Sequence, residues 1–195
     1  MFKKRNALVA TLVILAAGTA SRAHAADTYR ISGGEVAVVC PLTVGGSFEA
    51  KTKNLSGDLA TASGQPVTVG GSLMVDLQTL ETGIGMRDHH MKSNYLEVEK
   101  GPGFSVATFD DLKVEKLEGK TVFSGNLTLH GQRKAITGTA DLQQKDGRIR
   151  VQAQFALKVS DFQITKPTYL GVGVSDEIQI KVTLTAVPVG TVASR

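Results

Sequence analysis

The stretch Gly85-Met86-Arg87-Asp88-His89-His90-Met91-Lys92 holds the densest group of chemically capable side chains in the chain. Two histidines, an acid and an arginine could ligate a metal, move protons or bind an anion. A metal needs side chains that converge, which on a helix means spacing i, i+3 or i, i+4. His89 and His90 are adjacent, so a helix would splay them about 100° apart. Met86, Arg87 and Asn94, one turn from His90, supply no zinc ligand, and only His130 could join from elsewhere beyond the leader. No serine sits in a Gly-x-Ser-x-Gly elbow, and no glycine-rich phosphate loop leads from a strand into a helix. An enzyme would have to use His90 or His130 for turnover. The simpler expectation is no catalytic centre and no metal. Arg87 and Asp88 then tie a short helix over one end of a β structure, and Arg87, Asp88 and His90 form a rim able to meet a polar head group.

The elements that position this cluster follow an export leader. Met1-Phe2-Lys3-Lys4-Arg5 is a basic start, Ala7 to Ala20 an uncharged apolar run, and Ala23-His24-Ala25 a small-x-small cleavage site. Residues 1–25 therefore read as a bacterial-type signal peptide, and residues 26–195 as a single exported, periplasmic domain. The apolar run is shorter than the ~20 residues of a spanning helix. The chain has 22 basic and 18 acidic residues, and the leader holds Lys3, Lys4, Arg5 and Arg22 but no acid. The mature part is thus balanced at 18 against 18, and the basic isoelectric point argues for no nucleic-acid partner. Cys40 is the single cysteine and no lipobox surrounds it, so neither an internal disulfide nor a lipid anchor is expected. A buried, inert thiol fits best. The sequence leaves a homodimer open.

Most of the mature chain alternates with period two. From Ile149 to Ser160 every odd position is apolar and five of six even positions are polar. The same pattern runs through Glu177–Ala186, Phe123–His130 and Leu73–Gln78, which marks strands with one dry and one wet face. Phe104, Val106 and Thr108 form one face of a further strand, with Phe109 and Leu112 beyond it. Weaker strands fit Tyr29–Val39, Gly46–Leu59 and Ile136–Gln144. Asn54-Leu55-Ser56-Gly57, Ser63-Gly64-Gln65-Pro66, Glu118-Gly119-Lys120 and Lys145-Asp146-Gly147 read as hairpin-like turns. Pro41 places the first strand's end at a bend or edge. About eight antiparallel strands predict an all-β sandwich or barrel. Alternation fails only over 84–98, where Ile84, Met91, Tyr95 and Val98 recur at helical spacing. A crossover helix is expected there, capped by Thr82 and stopped by Gly101-Pro102-Gly103.

Four blocks in order carry a family resemblance. They are Leu80-Glu81-Thr82-Gly83 with Arg87-Asp88-His89-His90-Met91 and Asn94-Tyr95-Leu96; Gly103-Phe104-Ser105-Val106-Ala107-Thr108-Phe109; Phe123 to Gly131; and Val159 to Ile164 with Val174 to Ile180. Together they resemble the YceI-like family over about Ile31 to Ala186. Two places depart from it. Val38-Val39-Cys40-Pro41-Leu42 lacks a histidine that many members carry in the first strand, and Val159-Ser160 stands where many have an arginine. The resemblance implies a lipocalin-like, eight-stranded antiparallel β-barrel that is exported and holds a polyisoprenoid or isoprenoid-quinone-type lipid in its lumen without covalent chemistry.

Eight strands enclose just enough room for side chains or one slender ligand. The inward residues expected to touch a tail are Val75, Phe104, Val106, Phe123, Leu127, Phe155, Leu157, Ile178 and Ile180. Aromatics are only 5% of the chain and there are 21 glycines, so mid-sized aliphatics with Gly125 and Ala153 leave room for a tube. The same residues could equally fill a dry core, in which case the protein would be a stress-related or interaction protein acting through its surface.

Overall fold

Long amphipathic strands expose unpaired edges unless the sheet closes on itself, and here it closes. The computed structural model describes residues 27–62, 64–169 and 172–189. The leader and the tail from Gly190 lie outside the described residues. The strands are β1 (Asp27–Pro41), β2 (Ser47–Thr52), β3 (Leu55–Ala62), β4 (Val67–Asp76), β5 (Val106–Val114), β6 (Gly119–Leu129), β7 (Gln132–Lys145), β8 (Arg148–Lys158), the short hairpin pair β9 (Thr168–Tyr169) and β10 (Val172–Gly173), and β11 (Glu177–Pro188). The main sheet runs β11-β8-β7-β6-β5-β4-β3-β1-β2, and a β1–β11 ladder from Tyr29↔Pro188 to Val39↔Gln179 closes it.

Nine strands make an eight-stranded antiparallel barrel because β2 and β3 are one interrupted strand. Val36↔Thr52 and Arg30↔Asp58 keep the same register against β1. Asn54 is therefore a break within a strand and not a hairpin. At the break Asp76 N–H donates to the Asn54 carbonyl, and the Thr52 and Thr79 hydroxyls share a 2.6 Å hydrogen bond. The free side of β2 is covered where Lys51 and Glu81 exchange backbone hydrogen bonds of 2.8 and 2.9 Å.

The inward faces form two contiguous apolar groups. One, around Val36, Leu127, Leu157, Ile178 and Ile180, lies under the β4–β5 crossover. The other, around Tyr29, Val69, Val114, Leu142, Ile149 and Ala186, fills the opposite end. Phe109, Phe123 and Phe155 meet between them. Phe123 stands edge-on to each of the other rings, with centroids 5.9 and 6.1 Å away. Glycine seats two of these rings. A Cβ on Gly125 would lie 2.7 Å from two carbons of Phe109, and one on Gly138 would lie 2.6 Å from Phe123. Gly125 thus makes room for a phenyl ring, where composition suggested that it leaves a void.

The crossover is less regular than its spacing predicts. It comprises a 3₁₀ turn at Leu77–Thr79, α1 (Gly85–His90), a π turn at Met91–Tyr95, a second 3₁₀ turn at Val98–Lys100 and α2 (Pro102–Ser105). Helical structure breaks at Glu97, which takes a left-handed φ of 52°. Gly101 and Pro102 then begin the last helical turn, Pro102 supplying its first residue, where a missing N–H costs nothing. Leu77, Leu80 and Val98 are buried and hold the crossover against the barrel end.

Replacing Gly125 with valine should force Phe109 off its seat. Overpacking of this kind costs about 1–3 kcal/mol. Thermal denaturation should show Tm lowered by roughly 3–10 °C, whereas Gly103→Ala, which meets nothing within 4 Å, should leave Tm nearly unchanged.

Candidate functional site

Alternation on eight strands turns their small and mid-sized side chains into one continuous cavity of about 940 Å³. Its volume lies at the upper end of the ~300–1,000 Å³ typical of small-molecule sites. It runs from Tyr29, Val69 and Ile149 at one end, past the phenylalanine cluster, to Ile84, Met86 and Arg87 at the other. Val75, Phe123, Leu127, Phe155, Leu157, Ile178 and Ile180 all line it.

Phe104 and Val106 do not. β5 begins only at Val106, and Phe104 lies in α2. There its ring stands edge-on to His130 at 4.7 Å, with the Lys100 ammonium 5.7 Å from its centre. The inward residues of β5 are Ala107 and Phe109, then Leu112 and Val114. The odd-to-even switch comes from a bulge between Asp110 and Lys113, where Asp111 takes φ 50°. Arg133 clamps the bulge, its Nη1 donating to Asp110 and its Nη2 to Asp111, both at 2.7 Å. No single alternation spans this strand, so its sequence pattern points to the wrong face at the start. A clue was present in the paired acids Asp110-Asp111, which interrupt the apolar pattern.

Of the expected rim residues, Arg87 and His90 line the mouth and Asp88 does not. Asp88 turns back to accept hydrogen bonds from the backbone N–H and the hydroxyl of Thr82. Partial burial works against its ionisation, but the Thr82 bonds outweigh this and hold its pKa below the usual carboxylate range. Thr82 is therefore not the N-cap, a position held by Ile84. Arg87 lies over the Phe48 ring, 4.5 Å from its centre. It is the one fixed charge among the lining residues. Leu42 and the β10 segment complete the mouth, joined by hydrogen bonds from Thr43 N–H to the Gly173 carbonyl and from Gly173 N–H to the Thr43 hydroxyl. Val44, Ile84 and Met86 stand around it 67%, 52% and 74% exposed, an apolar fringe unusual for a water-facing loop.

His130 lies away from the lumen. Its Nδ1 is 3.0 Å from the Phe162 carbonyl oxygen and its Nε2 3.1 Å from a Glu97 carboxylate oxygen. Both nitrogens are thus spent pinning the β6–β7 turn to the crossover and to the 3₁₀ turn Val159–Phe162, whose Phe162 is 1% exposed. Lys100, and after it His130, hold the Glu97 carboxyl below its ordinary pKa. Among the described residues no three His, Cys, Asp or Glu side chains gather as a metal site.

Residues 26–186 match the YceI-like domain family. A UPF0312 protein of Vibrio vulnificus is 30% identical over 142 residues, covering 70% of this chain and 74% of its own length. Protein YceI of Salmonella arizonae is 30% identical over 149 residues, covering 73% and 69%. Two solved structures share the fold. A polyisoprenoid binding domain from Saccharophagus degradans aligns with TM-score 0.62 at 18% identity, over 83% of this chain and 98% of its own. BcnA of Burkholderia cenocepacia aligns with TM-score 0.63 at 17% identity, over 78% and 95%.

Cys40 faces this lumen. Burial pushes its thiol up to about 11, against a smaller opposing pull from the Arg87 charge. The thiolate is the reactive form, so labelling of the folded protein by a thiol reagent should be very slow at pH 8 and climb about tenfold per pH unit up to about 11. In denaturant the same cysteine should react at once. Rapid labelling of folded protein at pH 8 would show that the lumen at Cys40 is wet.

Proposed function

Because the chain belongs to the YceI-like family, we propose that it is an exported carrier that encloses the tail of a long isoprenoid amphiphile in its barrel and makes no covalent chemistry. The carrying observation is the cavity itself. It is continuous, apolar along the barrel, and charged only at its mouth. Such a space fits a molecule that is apolar for most of its length and polar at one end.

The energetics agree. Burying a methylene gains ~0.8 kcal/mol, so a tail of about 20 carbons brings roughly 16 kcal/mol of gross driving force. Association removes about 4–15 kcal/mol of it. Solvent-stranded isoprenoids would therefore partition into the lumen. The solved polyisoprenoid binding domain of the same fold supports a tail of this class. The leader supports a periplasmic site of action, where a lipid crossing water needs a sleeve. A cavity of about 940 Å³ through the barrel favours the carrier over a filled barrel working through its surface.

Mature protein purified from its native periplasm without detergent should yield a stoichiometric long-chain isoprenoid on mass spectrometry of its organic extract. A clean extract from protein that also refuses added polyprenol would remove the carrier reading. Phe155→Asp, which puts a carboxylate among the three phenyl rings, should abolish polyprenol uptake. A folded Phe155→Asp variant that still takes up polyprenol would place the tail elsewhere.

A further inference from the structure

The proposed carrier still lacks a head-group class, and the mouth contains one fixed charge that has no carboxylate partner among the described residues. Arg87 sits on α1, half-buried, at the end of an otherwise apolar cavity. Among the described residues no carboxylate lies within ion-pair distance of its guanidinium. The nearest acid in sequence, Asp88, is committed to Thr82. The Arg87 guanidinium lies over the Phe48 ring, 4.5 Å from its centre. A guanidinium carries five N–H donors in a rigid fork that matches an oxyanion. Its positive field reaches into the lumen as far as Cys40.

An arginine is costly to place beside an apolar cavity without a counter-charge. A neutral quinone or alcohol head would leave that cost standing, whereas an anionic head would cancel it. We infer that the carried amphiphile has an anionic head group, a phosphate or carboxylate, which Arg87 receives at the barrel mouth while the tail occupies the lumen. His90, which also lines the mouth, is a further group able to donate a hydrogen bond to that head. The inference rests on the carrier reading, since an anion at the mouth without a tail would have one exposed contact and little affinity.

The test compares three probes on the mature protein: geranylgeraniol, geranylgeranyl monophosphate and palmitate. Their dissociation constants come from displacement of a fluorescent apolar dye. The phosphate should bind about ten- to hundredfold more tightly than the alcohol, as expected for charge-assisted hydrogen bonds. Added salt should shrink this ratio. Arg87→Gln should bring it close to one and Arg87→Lys should restore part of it, with circular dichroism confirming that both variants fold. Tight binding of palmitate as well as the phosphate would assign the shared anion chemistry, and a gain for one alone would assign that source. Equal binding of alcohol and phosphate by the unaltered protein, or a ratio that survives Arg87→Gln, would overturn the anionic head and leave the carrier intact. Binding of none of the three would instead bring down the carrier reading itself.

Discussion

The ladder between β1 and β11 is the constraint on which the rest of the structure depends. It joins residues 140 to 159 positions apart in sequence, from Tyr29↔Pro188 to Val39↔Gln179. Without it the sheet would be open and its inward apolar face would be wet. With it, every inward side chain faces another across a common interior, and the barrel gains an inside. β1 is long enough to do this while pairing on its other side with both halves of the interrupted strand β2–β3. The bulge between Ile31 and Gly33 takes up the curvature that closure demands.

That interior stays open for a reason of volume. Three phenyl rings stand at its middle, and glycines at 125 and 138 let two of them approach the wall closely. Aliphatic side chains of medium length line the remainder. Larger aromatics at those positions would have met across the axis. A small number of substitutions of that kind would convert a sleeve into a solid core without disturbing strand pairing, which is why the two outcomes share one strand pattern.

Polar groups at the open end divide into those that hold the fold and those that face the cavity mouth. Asp88 locks the start of α1 to Thr82, and His130 pins the crossover and the 159–162 turn to the barrel through Glu97 and Phe162. Asp176 does similar work by accepting from the N–H and hydroxyl of Ser160. Each has its hydrogen-bonding capacity used within the fold. Arg87 alone keeps its charge directed at the cavity mouth.

The chain's alternation determined the all-β class, the inward faces of β4, β6, β8 and β11, and hence the seven expected residues that line the cavity, because a period of two depends only on local backbone geometry. The irregular crossover was also legible as a break in that period. Tertiary structure decided what periodicity cannot carry. The bulge at Asp110-Asp111 switches the inward face of β5 from Ala107 and Phe109 to Leu112 and Val114, so the even spacing read from Phe104 and Val106 to Leu112 does not follow one face, and Phe104 and Val106 fall outside the lumen. The left-handed turn at Glu97 ends the helix that spacing alone extends to Val98. The fates of Asp88, Arg87 and His130 depend on partners 6 to 39 positions away, at Thr82, Phe48, Glu97 and Phe162. Whether the barrel is hollow is likewise a property of how side chains meet across the axis, a distance that no stretch of sequence contains.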